Sequence, residues 1–196
     1  MLTLRAEEDR GKMRNRSLGL KLVLLIGLTF SAFGPVSAQE EFAGGILYGA
    51  NWGCAVTAPS GWFMDQESWA KNNIYALFYE KGKKLGPTIP IVYVRTSQLN
   101  AATDAEMTKY IDWEVSNVRK GAGNTAVERD LKLSNGSKLR AFDYNYGNAQ
   151  FETVAYQRYK DTCFLVILAS RDKAKFEANI PKLKEVLLSM EFMDKP

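Results

Sequence analysis

Thr162-Cys163-Phe164-Leu165-Val166-Ile167-Leu168-Ala169 is apolar at nearly every position. A run this short, rich in β-branched residues and without alternation, reads as a strand buried on both faces near the middle of a sheet. Just upstream, Phe151 to Tyr159 sets Phe, Thr, Ala, Gln and Tyr on one side against Glu, Val, Tyr and Arg on the other. That period of two predicts a neighbouring strand. Leu139 to Tyr146 precedes it, and Asn135-Gly136 before that marks a hairpin turn, expected as type I′ because both residue types tolerate the left-handed backbone. Its other arm holds Val127, Arg129, Leu131 and Leu133 on one face, with Arg129 interrupting the apolar series. Downstream, Asp172 to Met190 has helical spacing, and Pro181 predicts a second helical piece starting near Asn179. Leu183, Val186, Leu187 and Met190 form its core stripe.

Further upstream lies another helix. Thr103 with Glu106 three residues on has the pattern of a capping box, and Met107, Tyr110, Ile111, Glu114, Val115 and Val118 recur at helical spacing until Gly121 stops them. Before it, Ile74 to Tyr79 and Ile89 to Val94 predict two paired strands around a turn holding Lys81, Lys83 and Lys84. Pro90 places the second strand's start, or the strand itself, at a sheet edge. Cys54 to Ala58 is a short strand stopped by Pro59-Ser60-Gly61. The order of strands, helix, antiparallel meander and helix predicts an α+β fold, an antiparallel β-sheet flanked by helices, and not a parallel doubly wound sheet.

The first 38 residues read differently. Arg14, Arg16 and Lys21 precede an apolar stretch from Leu22 to Phe33, and Val36-Ser37-Ala38 suits cleavage between Ala38 and Gln39. This is the pattern of a secretory signal, with a retained signal anchor as the alternative. The acidic Glu7, Glu8 and Asp9 fit an export signal poorly, so Met13 is a candidate true start. The apolar run is shorter than the roughly 20 residues a membrane span needs. With no cysteine at the cleavage site, acyl anchoring is not expected. The expected product is a single domain over 39–196, exported to the periplasm or outside the cell.

Charge follows the same division. The chain has 26 Lys plus Arg against 22 Asp plus Glu; residues 1–38 hold six and three of these, leaving 20 against 19 beyond them. A surplus of one gives no ground for nucleic-acid binding, which uses clustered cations. Lys81, Lys83 and Lys84 read as a solvated turn.

Chemistry is narrowed mostly by exclusion. The chain has no histidine. That removes Ser-His-Asp and Cys-His nucleophile systems and the usual zinc sites. The glycine pairs lack phosphate-loop context. No catalytic, cofactor or metal residue is therefore assigned. Asp65 with Glu67, and Asp104 with Glu106, are the acid pairs open to carboxylate catalysis, although the second pair suits the first turn of a helix. Cys54 and Cys163 both fall on predicted strands, and in an oxidising compartment they are expected to form a disulfide. A bridge closing a loop of about a hundred residues is worth up to ~4.7 kcal/mol in the chain-entropy picture. The alternative is two buried free thiols. Trp52, Trp62 and Trp69, with Tyr48, Phe63, Tyr75 and Tyr79, either cap one end of the core or leave an aromatic patch for a partner.

Ala55-Val56-Thr57-Ala58-Pro59-Ser60-Gly61-Trp62, the meander through Thr153-Val154-Ala155-Tyr156 and Thr162 to Ala169, and the closing Leu188-Ser189-Met190-Glu191-Phe192 resemble the Mog/PsbP-like superfamily. The resemblance implies an α/β/α sandwich used for docking on protein partners and not for covalent catalysis. It carries over no functional residue, since Pro59, Gly61 and Trp62 are turn and packing positions. The expected function is an exported, non-catalytic binding or assembly protein with an envelope partner. The alternatives are a carboxylate-based envelope hydrolase and a small-ligand carrier.

Overall fold

The computed structural model describes residues 43–66 and 73–194. Five strands come first: β1 (Gly44–Tyr48), β2 (Trp52–Thr57), β3 (Trp62–Asp65), β4 (Ala76–Glu80) and β5 (Ile91–Gln98). The helix α1 (Asp104–Arg119) leads into the meander β6 (Thr125–Lys132), β7 (Lys138–Tyr146), β8 (Gln150–Tyr159) and β9 (Thr162–Ser170). Helices α2 (Lys173–Ala178) and α3 (Ile180–Ser189) and the strand β10 (Glu191–Asp194) follow. The signal reading of 1–38, its cleavage point at Ala38 and Gln39, and the residues Glu67 and Trp69 lie outside the described residues.

β9 organises the molecule. All nine of its residues are buried, as its unbroken apolar character requires. It sits inside a seven-stranded sheet of order β3-β4-β5-β9-β8-β7-β6, and every pairing is antiparallel. Alternation divides its side chains between two apolar layers. Phe164, Val166 and Leu168 face the layer of Phe176, Leu183, Val186 and Leu187 from α2 and α3. Cys163, Leu165 and Ile167 face the layer of Ile111, Val115 and Val118 from α1. The α+β class with helices on both sheet faces is therefore the observed one.

Local signals explain the helices. The Thr103 hydroxyl accepts from the Glu106 backbone N–H, so one half of the capping box is present. The Glu106 carboxylate turns outward to Lys109 and Asn100. Asp172 caps α2, and α3 begins after Asn179 with Pro181 in its first turn, where a missing N–H costs nothing. Arg129, out of place on an apolar face, donates from Nε to both oxygens of Asp143 and reaches Glu177 on α2.

Several expectations are corrected. Pro90 does precede the first ladder residue of β5, but β5 lies between β4 and β9 and is no edge. A proline just ahead of a strand removes no ladder bond. In the hairpin, Gly136 has φ 85° while Asn135 is not left-handed. The Leu133 N–H donates to Ser137 O, so three residues form the loop, and Asn135 Oδ1 accepts from Ser137. This is a turn with a glycine bulge and not type I′.

A second sheet was not foreseen. β1 and β10 pair with β2 on either side, giving the order β1-β2-β10. Four residues following a helix give too little pattern to read as a strand, yet Phe192 anchors β10 by stacking on Tyr159 at 5.0 Å and meeting Phe164 edge-on at 4.8 Å.

The predicted disulfide is absent. Cys54 and Cys163 are both free and buried. Cys54 packs in the layer of α2 and α3, whereas Cys163 points into the layer under α1. The large sheet separates the two thiols, because position 163 falls on the other side of the β9 alternation. Burial pushes both thiols up to about 12. A reducing agent is expected to leave the melting temperature unchanged, and an alkylating probe at neutral pH should label both thiols only after denaturation. Labelling of the native protein at either position would contradict this placement.

Candidate functional site

The acid pairs singled out from the sequence do not converge. Asp65 is buried on β3, its proposed companion Glu67 lies outside the described residues, and Asp104 is exposed and paired with Arg158 at 2.7 Å. Glu106 is held by Lys109 and Asn100, contacts that draw its carboxyl below the usual range. Asp104 and Glu106 thus serve the start of α1, where negative side chains suit the macrodipole. Lys81, Lys83 and Lys84 lie in an exposed turn around Gly82, whose φ is 77°.

The early aromatics mostly build the core. Trp52 is buried, meets Phe164 edge-on at 4.6 Å and lies 5.4 Å from Tyr75. Phe63 and Tyr79 are buried against each other at 4.1 Å, and Trp62 is half-buried. Tyr48 is the exception, 56% exposed.

Tyr48 belongs to an apolar surface that depends on the small sheet. The register sets Tyr48, Gly53 and Met193 in one row across β1, β2 and β10, and Ile46, Ala55 and Glu191 in the next row on the same face. Ile46, Tyr48 and Met193 are three of the six large apolar side chains left exposed among the described residues, the others being Trp113, Val127 and Leu188. Gly53 is what lets the row close, since a Cβ there would meet Met193 Cγ at 2.9 Å.

Beneath α1 lies a polar cluster that motif reasoning did not assemble. Glu152 on β8 is buried and accepts from Gln150 at 2.8 Å, Tyr146 at 3.2 Å and Tyr93 at 3.3 Å. Glu114 on α1 accepts a short hydrogen bond from the Tyr156 hydroxyl, which lies 2.6 Å from that of Tyr144. The hydroxyls of Tyr156 and Tyr144 are buried between helix and sheet. Burial raises both carboxyls, Glu114 to about 7. The available signal was a glutamate on the apolar stripe of α1, beside Val115 and one turn from Ile111 and Val118.

Beside this cluster a groove of ≈ 380 Å³ runs along α1, lined by Asp112, Val115, Arg119, Glu128, Arg140 and Phe142 among others. Arg140 bonds Asp112 at 3.2 Å and lies 5.6 Å from the centre of the Phe142 ring. Among the described residues no group of three or more Cys, Asp or Glu side chains is placed to hold a metal ion, and no helix is long and apolar enough to cross a membrane.

No family model and no curated protein matches the chain. Among solved structures it is similar to the solution structure of cyanobacterial PsbP from Synechocystis sp. PCC 6803, at 11% identity over 82% of this chain and 98% of that one, with a TM-score of 0.46.

Proposed function

We propose that this chain is an exported, non-catalytic binding or assembly protein that docks on a protein partner of the cell envelope through the outer face of β1-β2-β10. The observation that carries the reading is the row Tyr48-Gly53-Met193 with Ile46 beside it, apolar side chains gathered on one exposed sheet face. Clustered exposed apolar surface of this kind suits partner docking, and aromatic residues such as Tyr48 supply contact area at low entropic cost. Glu191, on the same face in the adjacent row, sets charge beside the apolar side chains, as at the polar rim of an interface. Export rests on the leader pattern between Met13 and Ala38.

A photo-crosslinking residue at position 48 or 193, introduced into the chain in its native envelope, is expected to give one discrete protein adduct. The same residue at position 84, in the exposed lysine turn, is expected to give none. Equal labelling from all three positions, or no adduct from 48 and 193, would remove the proposal.

A second reading, small-ligand carriage, is favoured by the groove beside α1, where Arg119 and Arg140 flank an apolar floor of Val115 and Phe142. The hydrolase alternative has less support. Glu114 and Glu152 do approach one another, but tyrosine and glutamine donors occupy them within the layer under α1.

A further inference from the structure

α1 buries Ile111, Val115 and Val118 against the sheet, and on the same side it carries Glu114. As a residue Glu114 is half-buried, with its carboxylate aimed at Tyr156, which is 1% exposed. Tyr156 donates to Glu114, so Tyr144 donates to Tyr156 in turn, and a chain of hydroxyls ends on the carboxylate. Glu152 stands in the same layer with three donors of its own. The two carboxylates are therefore unequally served. Hydrogen bonds to a carboxylate favour its charged form, and a nearby like charge opposes a second ionisation.

Every element around Glu114 contributes a defined group. β5 presents Tyr93 and Arg95, β7 Tyr144 and Tyr146, β8 Glu152 and Tyr156, β9 Cys163, and α1 itself Tyr110. β6 offers the apolar Ala126 on this face, with Glu128 in the adjoining groove.

We propose that this cluster is a proton-operated latch, in which Glu114 is neutral while α1 is seated on the sheet and ionised when the helix lifts. A neutral carboxyl keeps its bond to Tyr156 at little cost, whereas an anion in an apolar layer demands water. The bond to Tyr156, which is 1% exposed, holds the carboxyl on the sheet side of α1, so full hydration at that bond requires the helix to move. Arg158 to Asp104 at the N-terminus of α1 and Arg140 to Asp112 at mid-helix are surface contacts, which yield more readily than a packed core, while Arg119 at the last turn donates to Ala126 O.

The direction is set by burial. Desolvation raises Glu114 from 4.5 to about 7, with the Glu152 charge adding to it and Tyr156 and Arg95 opposing. The folded protein thus holds the proton to higher pH than the unfolded chain does. The resulting stabilisation is complete below about pH 4.5 and is lost as pH rises through about 7. Glu152, also raised, acts in the same sense.

Amide exchange in the full chain, corrected for intrinsic rates, tests the latch together with a carboxyl 13C titration of Glu114. Between pH 5.5 and 8.5 the protection of α1 amides is expected to fall at least tenfold relative to β9, with a Glu114 midpoint near 7. E114Q should abolish most of that fall. Should E114Q not fold, Y156F provides the check, because losing the hydroxyl donor must move the Glu114 midpoint upward. A midpoint near 4.5, α1 protection that tracks β9 at both pH values, or a Y156F midpoint that stays or drops would each overturn the proposal.

Discussion

Phe164→Ala is expected to destabilise the protein by about 3–5 kcal/mol, the range for removing a ring from a closed core. Phe164 is fully buried near the start of β9 and touches two rings, Trp52 at 4.6 Å and Phe192 at 4.8 Å. Those two rings belong to β2 and β10, and Phe192 stacks in turn on Tyr159. The ring thus touches both β2 and β10 and is a central one of the contacts that fix the small sheet to the large one. Beyond a lower urea midpoint, β2 and β10 amides should lose more protection than those of β6 and β7. Uniform loss across both sheets would show that Phe164 merely fills space.

Glu152→Ala should be costly for a different reason, at about 2–3 kcal/mol, since it leaves donors without an acceptor. Tyr93 is buried and cannot turn to solvent, whereas Tyr146 and Gln150 are half-buried and recover part of the loss from water. Glu152→Gln keeps an acceptor oxygen and should cost less. The charge of Glu152 also raises Glu114, so either substitution is expected to move the Glu114 titration downward. Urea denaturation at pH 6 gives the stability, and the carboxyl titration of Glu114 gives the coupling. An alanine variant as stable as the parent would mean that the three donors find other partners.

The sequence exposes most elements whose physics is local. Thr162 to Ala169 reads as a central strand because nearly every position is apolar, Thr103 marks the start of α1 through its cap, and Pro181 separates α2 from α3 by its fixed backbone. Properties set by strands far apart in sequence stay hidden. The Cys54 and Cys163 pairing failed because faces alternate along each strand, and no local pattern says which layer either residue enters. β10 escaped notice because four residues gain strand character only from the ladder with β2. Pro90 pointed to an edge because its own segment cannot reveal that β9 returns beside β5. Of the cluster under α1, Glu114 was visible on the helical stripe. Glu152 gained meaning only when the register brought β8 beneath that helix.

The pairing of β2 with β10 has a kinetic consequence. Ala55 finds Glu191, and Cys54 finds Phe192, only after all the intervening strands and helices have been made. Contacts so remote in sequence slow folding, because closing a long loop precedes any reward. A nascent chain therefore lacks one flank of β2 until synthesis reaches Glu191–Asp194, so the small sheet is completed after the strands of the large one.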